Sequence, residues 1–165
     1  MSKDCFATGT KFNHVKKFIK SLSILVQLLG LIFLIIDPPV YKSYWKKLQE
    51  DSDKTAADTF HISRRACFHG LALLRNLQVD SHRDKSDVLD GWVAMVYWGN
   101  FDGGHLVLPD LQVKLDFKPG DIIFFRSRLL EHFVTDFQGE RSSMVFFTHE
   151  NVLKRKEGSS DGKDS

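Results

Sequence analysis

The sequence predicts a mainly β domain of the antiparallel sandwich or jelly-roll kind, led in by a helical region. Three observations carry this. From about Arg64 onward, short apolar or alternating runs recur, Pro, Gly and Asp turn signals separate them, and no helical period lies between them. A length of 165 residues suits one domain. The division expected is a helical and hydrophobic region over 1–60, a β core over 61–153, and a polar tail over 154–165.

Taken in order, residues 18–36 (FIKSLSILVQLLGLIFLII) come close to the ~20 apolar residues of a spanning helix, with Lys16 and Lys17 in front. Lys20 and Gln27 inside the run favour the other reading, a helix or strand pair buried in the core. Asp37, Pro38 and Pro39 end it. Val40, Tyr41, Tyr44, Trp45 and Leu48 then follow helical spacing, so a short amphipathic helix starts at the prolines. Residues 49–59 are polar and read as a loop. The strand-like runs follow: 91–98, 105–108, alternation at Leu111, Val113, Leu115 and Phe117, the apolar 122–125, 132–137 and 142–149. Turns are expected at Asn100 to Gly104, at Pro109 and Asp110, at Lys118 to Asp121, and at Gln138 to Glu140. The tail (KRKEGSSDGKDS) has too little apolar surface to bury, and its basic start reads as a solvated end.

Composition excludes several classes. With 42% hydrophobic and 27% charged residues, wholesale disorder is excluded. Two cysteines, Cys5 and Cys67, make neither a disulfide framework nor a thiolate zinc module, and a reducing compartment is expected. Residues 1–50 carry eight Lys against Asp4, Asp37 and Glu50, a net +5, while residues 51–165 carry −3. The β part therefore lacks the bulk basic charge of a dedicated nucleic-acid binder.

Among seven histidines, His82 alone starts a His-x-Asp pair, with Asp84. On a strand, such residues project from one face. Asn76, Gln78 and Asp80 share their parity, and Leu77 and Val79 take the other. Alone, the pair is weak and reads as a surface pair before a ligand pair. His132, 50 residues downstream at the start of a strand, changes the balance. Two imidazoles and one carboxylate on one side of a metal leave three positions open, which suits non-haem Fe(II). Arg141, nine residues beyond His132, offers a planar guanidinium for a carboxylate, and Ser143 shares its face. Asn76, on the polar face, joins Arg141 and Ser143 as a candidate cofactor-binding residue.

Over about residues 71–152 the chain resembles the Fe(II)/2-oxoglutarate-dependent dioxygenases, and within them the Tet/JBP group that oxidises methyl groups on pyrimidine bases in nucleic acid. SHRDKSD, GWVAM, GG-x-L-x-LP, KPGDIIFF, LEH and GERSS with FFTHE carry the likeness. The resemblance implies a double-stranded β-helix (jelly roll). It implies that His82, Asp84 and His132 bind Fe(II), that Arg141 holds the distal carboxylate of 2-oxoglutarate, and that Ser143 assists. It implies substrate-base contacts for Asp87 and His149, whose bland alternatives are a loop cap and a strand-end surface histidine.

It further implies oxidation of a base such as 5-methylcytosine, with 2-oxoglutarate leaving as succinate, DNA ahead of RNA as the substrate, dioxygen as co-substrate, and a nuclear location. Arg83, Lys85, Arg126 and Arg128 are the candidates for phosphate contacts, or else solvated loop charges. The chain departs from the group's pattern in having only 81 residues ahead of His82 and no Cys-rich or DNA-targeting module, and it reads as a shortened member. The rival expectations are a dioxygenase acting on a protein side chain or small molecule, an inactive remnant, and membrane attachment through residues 18–36.

Overall fold

The structure is a computed structural model that describes residues 9–52 and 63–155. Three helices come first: α1 (Gly9–Ser21), α2 (Ser23–Ile36) and α3 (Pro38–Ser52). Seven strands follow: β1 (Gly70–Arg75), β2 (Val93–Gly103), β3 (Leu106–Leu108), β4 (Val113–Leu115), β5 (Ile122–Phe125), β6 (Phe133–Val134) and β7 (Phe137–Phe147). A short helix, α4 (Glu150–Lys154), closes the described chain. The strands form two antiparallel sheets, one in the order β1-β7-β2-β5 and one in the order β4-β3-β6. The alternation on β2 shows how the layers stack. Val93, Met95 and Tyr97 join Leu106, Leu108, Phe117 and Phe125 in a core between the sheets. Ala94 and Val96 point the other way, into a second core with Leu29, Phe33, Tyr41, Tyr44, Phe68 and Phe146 under the helices. Burial on both faces explains why 91–98 reads as an unbroken apolar run.

The hydrophobic stretch 18–36 is helical, and the strand-pair reading is corrected. Leu29, Gly30 and Phe33 form the buried face of α2. Phe33 stacks on Phe68 at 5.4 Å and meets the edge of Tyr44 at 5.5 Å. A Cβ on Gly30 would lie 2.0 Å from the Arg65 carbonyl oxygen, so only glycine allows this approach. Ile24, Leu28, Leu31 and Ile35 stay exposed on the opposite face. Among the described residues no single helix is long and apolar enough to cross a membrane; Asn13–Ser21 and Ser23–Ile36 pass that test only as a pair bent by 53°. Helix α3 starts at the prolines as expected, with the Val40 N–H donating to Asp37 Oδ1 at 3.3 Å. It runs on to Ser52, which overturns the expected loop over 49–52; the rest of that expectation, from 53, lies outside the described residues, as does the tail from 156.

The expected turn at Gln138 to Glu140 is absent. Strand β7 passes straight through, pairing Phe101 with Gly139 and Gly99 with Arg141. Both glycines have positive φ (126° at Gly99, 94° at Gly139), and a Cβ on either would lie within 2.2 Å of the facing carbonyl oxygen. Gly139 therefore serves close strand approach rather than a reversal.

His69 lies where the sheet meets α3, its Nδ1 3.2 Å from Thr148 Oγ1 and its ring against Tyr44. Burial lowers its pKa from 6.5 to about 4; Asp51 opposes the shift, and Lys47 and Arg155 add to it. Between pH 6.5 and 4 the unfolded chain holds a proton there that the folded chain refuses, so stability falls as acid is added through that window. The loss is on the order of 3 kcal/mol, and above pH 6.5 this group contributes no slope. Urea midpoints measured from pH 7.5 to 4.5 should show the fall, and His69→Phe should flatten it.

Candidate metal centre and co-substrate pocket

The centre is assembled by backbone pairing before any side chain acts. The His82 N–H donates to the His132 carbonyl at 3.1 Å, and the His132 N–H donates back to the His82 carbonyl at 2.9 Å. Each imidazole is then oriented by its own chain. Nδ1 of His82 lies 2.8 Å from the Asp80 carbonyl, and Nδ1 of His132 lies 3.0 Å from the Leu130 carbonyl. A carbonyl only accepts, so each Nδ1 carries the proton and each Nε2 keeps its lone pair. Those two Nε2 atoms lie 3.7 Å from Asp84 Oδ1 and Oδ2 respectively. All three ligand atoms fall within 4.8 Å of one another. Burial lowers the pKa of His132, which keeps it neutral and fit to ligate. Two lone-pair nitrogens with second-layer carbonyls, plus one carboxylate, fit Fe(II).

The triad opens into a cavity of about 390 Å³, within the ligand-pocket range, whose lining also includes Arg141, Ser143, Asp87 and His149. Arg141 is only 4% exposed. Its guanidinium lies over Tyr97 at 4.3 Å, with Phe137 and Phe101 at 5.6 and 5.8 Å. A Cβ on Gly104 would come within 3.1 Å of its stem. Among the described residues no carboxylate pairs with it, and its Nε and Nη2 have no hydrogen-bond partner. A buried cation with idle donors is costly unless an anion from outside completes it. Ser143 is buried two residues along the same strand. These groups fit a ligand carboxylate.

Asn76 does not line this cavity, which corrects its expected place among cofactor contacts. Its backbone is left-handed (φ 49°), its Oδ1 accepts from the Arg141 N–H at 2.8 Å, and its own N–H donates to the Arg141 carbonyl at 2.7 Å. It grips the main chain behind the guanidinium. The expected polar parity fails for the same local reason. Leu77 and Val79 face the cavity along with His82 and Asp84, while the Gln78 amide reaches out to Asp136. Residues 76–81 do not form a regular strand, so alternation does not carry across them.

Asp87 is buried, and Ser127 Oγ donates to its Oδ2 at 2.7 Å. Burial raises its pKa, with Ser127 opposing. His149 forms a β-bridge with it, brings Nε2 to 3.7 Å from Asp87 Oδ1, and packs its ring on Phe147. Three of the four proposed phosphate contacts are paired within the chain, Arg83 at the exposed surface and Arg126 and Arg128 part-buried. Both Asp110 oxygens accept from Arg83 at 3.0 Å, Arg126 bonds Asp37 while lying over Trp92, and Arg128 bonds the Asp87 carbonyl and Glu150. Lys85 is exposed. Ser127 and Tyr97 carry no sequence signal that marks them as part of a site; Tyr97 belongs to a run that reads as ordinary strand and Ser127 to the connection between 122–125 and 132–137.

Comparison with known proteins bears on this geometry. Residues 2–150 match the Tet/JBP family, described as the oxygenase domain of the 2OGFeDO superfamily. "Tet-like dioxygenase 1" of Naegleria gruberi is 34% identical over 71 residues, which is 41% of this chain and 22% of that protein. The solved structure of NgTET1 in complex with 5mC DNA superposes with a TM-score of 0.51 at 23% identity, covering 74% of this chain and 53% of that one. The chain thus spans about half of that structure and about a fifth of the curated relative. The likeness in fold identifies the two sheets as a double-stranded β-helix with a helical region in front.

Proposed function

The chain belongs to the Tet/JBP oxygenase family of the 2-oxoglutarate/Fe(II) superfamily, and from that premise we propose that it is a dioxygenase that oxidises the methyl group of a nucleic-acid base such as 5-methylcytosine. The single observation that carries the reading is Arg141, a buried guanidinium with idle donors opening on the cavity that holds the His-Asp-His cluster. His82, Asp84 and His132 would hold Fe(II). Arg141 and Ser143 would bind the far carboxylate of 2-oxoglutarate, fixing its length axis toward the metal. When bound, the metal and 2-oxoglutarate supply, with dioxygen, the oxidant for a C–H bond, 2-oxoglutarate leaving as CO2 and succinate. Asp87 and His149 would meet the polar edge of the substrate. Leu77, Val79 and Phe147 would exclude water around it. A base inside a duplex cannot reach such a cavity, so the nucleotide must be extruded or single-stranded.

One observation favours a second reading, a dioxygenase of the same chemistry acting on a peptide or small molecule: Arg83, Arg126 and Arg128 are engaged internally, and the part after residue 50 carries −3. Incubation with a 5-methylcytosine oligonucleotide, Fe(II) and 2-oxoglutarate, read by nucleoside mass spectrometry and succinate release, decides. Hydroxymethylated base with matching succinate is the expected result. Succinate without base oxidation favours the second reading, and neither product in an iron-loaded protein means an inactive remnant.

A further inference from the structure

We propose that Ser127 is a positioning residue that aims the Asp87 carboxylate at the substrate and fixes it relative to the metal-facing Asp84; the inference rests on the substrate-facing role of Asp87 given above. Ser127 follows β5 by two residues and is 1% exposed. It acts at both ends. Its carbonyl accepts the Asp84 N–H at 3.1 Å, and its hydroxyl donates to Asp87 Oδ2 at 2.7 Å. The Asp87 N–H also closes on the Asp84 carbonyl at 3.0 Å. One buried residue therefore spans the short loop on which both carboxylates ride.

The consequence is directional. With Oδ2 engaged by the hydroxyl, the carboxylate can turn only by giving up that bond, and Oδ1 is left on the side of His149. The 3.7 Å from Oδ1 to His149 Nε2 is too long for a hydrogen bond, so both atoms keep capacity for a ligand. The far side of the gap is braced separately. Arg128 donates to the Asp87 carbonyl and to the Glu150 carboxylate, and the Glu150 N–H donates to the Ser86 carbonyl at 2.9 Å. The backbone can thus hold the spacing of Asp87 and His149 without the serine hydroxyl. What the hydroxyl adds is the orientation of one carboxyl group.

Ser127→Ala removes that donor and keeps the carbonyl that holds Asp84. The expected result is a rise of about tenfold in KM for the methylated oligonucleotide, as for one lost hydrogen bond to a charged group, with kcat and KM for 2-oxoglutarate within about twofold. In an Asp87→Ala background the same change should add nothing, because Ser127 acts through Asp87. An unchanged oligonucleotide KM, a full additional loss in the Asp87→Ala background, or an equal rise in KM for 2-oxoglutarate overturns the proposal. Crystals of the wild type and of Ser127→Ala judge it independently of base oxidation. If the wild type oxidises no base, the functional reading fails, while an Asp87 carboxylate that rotates in the variant still upholds the positioning role and one that stays in place refutes it.

Discussion

Asp84→Ala leaves a folded protein that no longer holds iron and turns over nothing. The side chain is 40% exposed and supports no core packing, so thermal unfolding should match the wild type. The function of the carboxylate is local. It is the anionic donor facing two imidazole Nε2 atoms, each 3.7 Å from one of its oxygens. Loss of a partner that merely orients a metal ligand costs ~10–100-fold in metal affinity or activity. Loss of the ligand itself should exceed the upper end of that range and take turnover to background. Metal content after anaerobic loading, read beside succinate release, is the measurement. Retention of iron at wild-type affinity by Asp84→Ala would mean the ion is held elsewhere.

Replacing Arg141 has two effects of opposite sign. With 2-oxoglutarate present, Arg141→Met leaves the ligand carboxylate buried and unpaired. Breaking such a pair costs about 3–5 kcal/mol, a rise in KM for 2-oxoglutarate of roughly a hundredfold or more. In the unliganded protein the same change removes a buried cation that no described carboxylate neutralises and leaves an apolar chain among Tyr97, Phe101 and Phe137. Removing an unneutralised buried cation relieves its desolvation cost. Thermal shift assays should therefore find the unliganded variant at least as stable as the wild type, and find that 2-oxoglutarate raises the melting temperature of the wild type only. A variant that melts well below the wild type without ligand contradicts the picture of Arg141 as a cation awaiting its anion.

What the sequence allowed to be read depended on the distance over which each feature is decided. The two sheets follow from alternation and turn residues, which are local, and β5 lies where those patterns put it, whereas β2 runs on to Gly103 through most of the turn expected at Asn100 to Gly104. His82, Asp84 and His132 are brought together by a fixed pattern of short elements, and that pattern was visible. The failures are of another kind. Gly139 marks either a reversal or a close strand approach, and only its partner Phe101 distinguishes them. Asn76 is polar on the expected side, yet its left-handed backbone turns its amide onto the Arg141 main chain. The arginines read as free because their acidic partners lie far off in the chain, 89 residues away for Arg126 and 27 for Arg83. Pairing at that separation leaves no periodic trace.

The reciprocal main-chain bonds between His82 and His132 bear on how iron is taken up. These bonds use main-chain atoms that a metal ion does not need, so the two imidazoles need not be gathered from a mobile loop at the moment of capture. Metal entry then requires little ordering of the polypeptide, and its free energy goes chiefly into coordination. In deuterium-exchange experiments the His82 and His132 amides should already be slow in chelator-stripped protein and should gain little further protection on addition of iron.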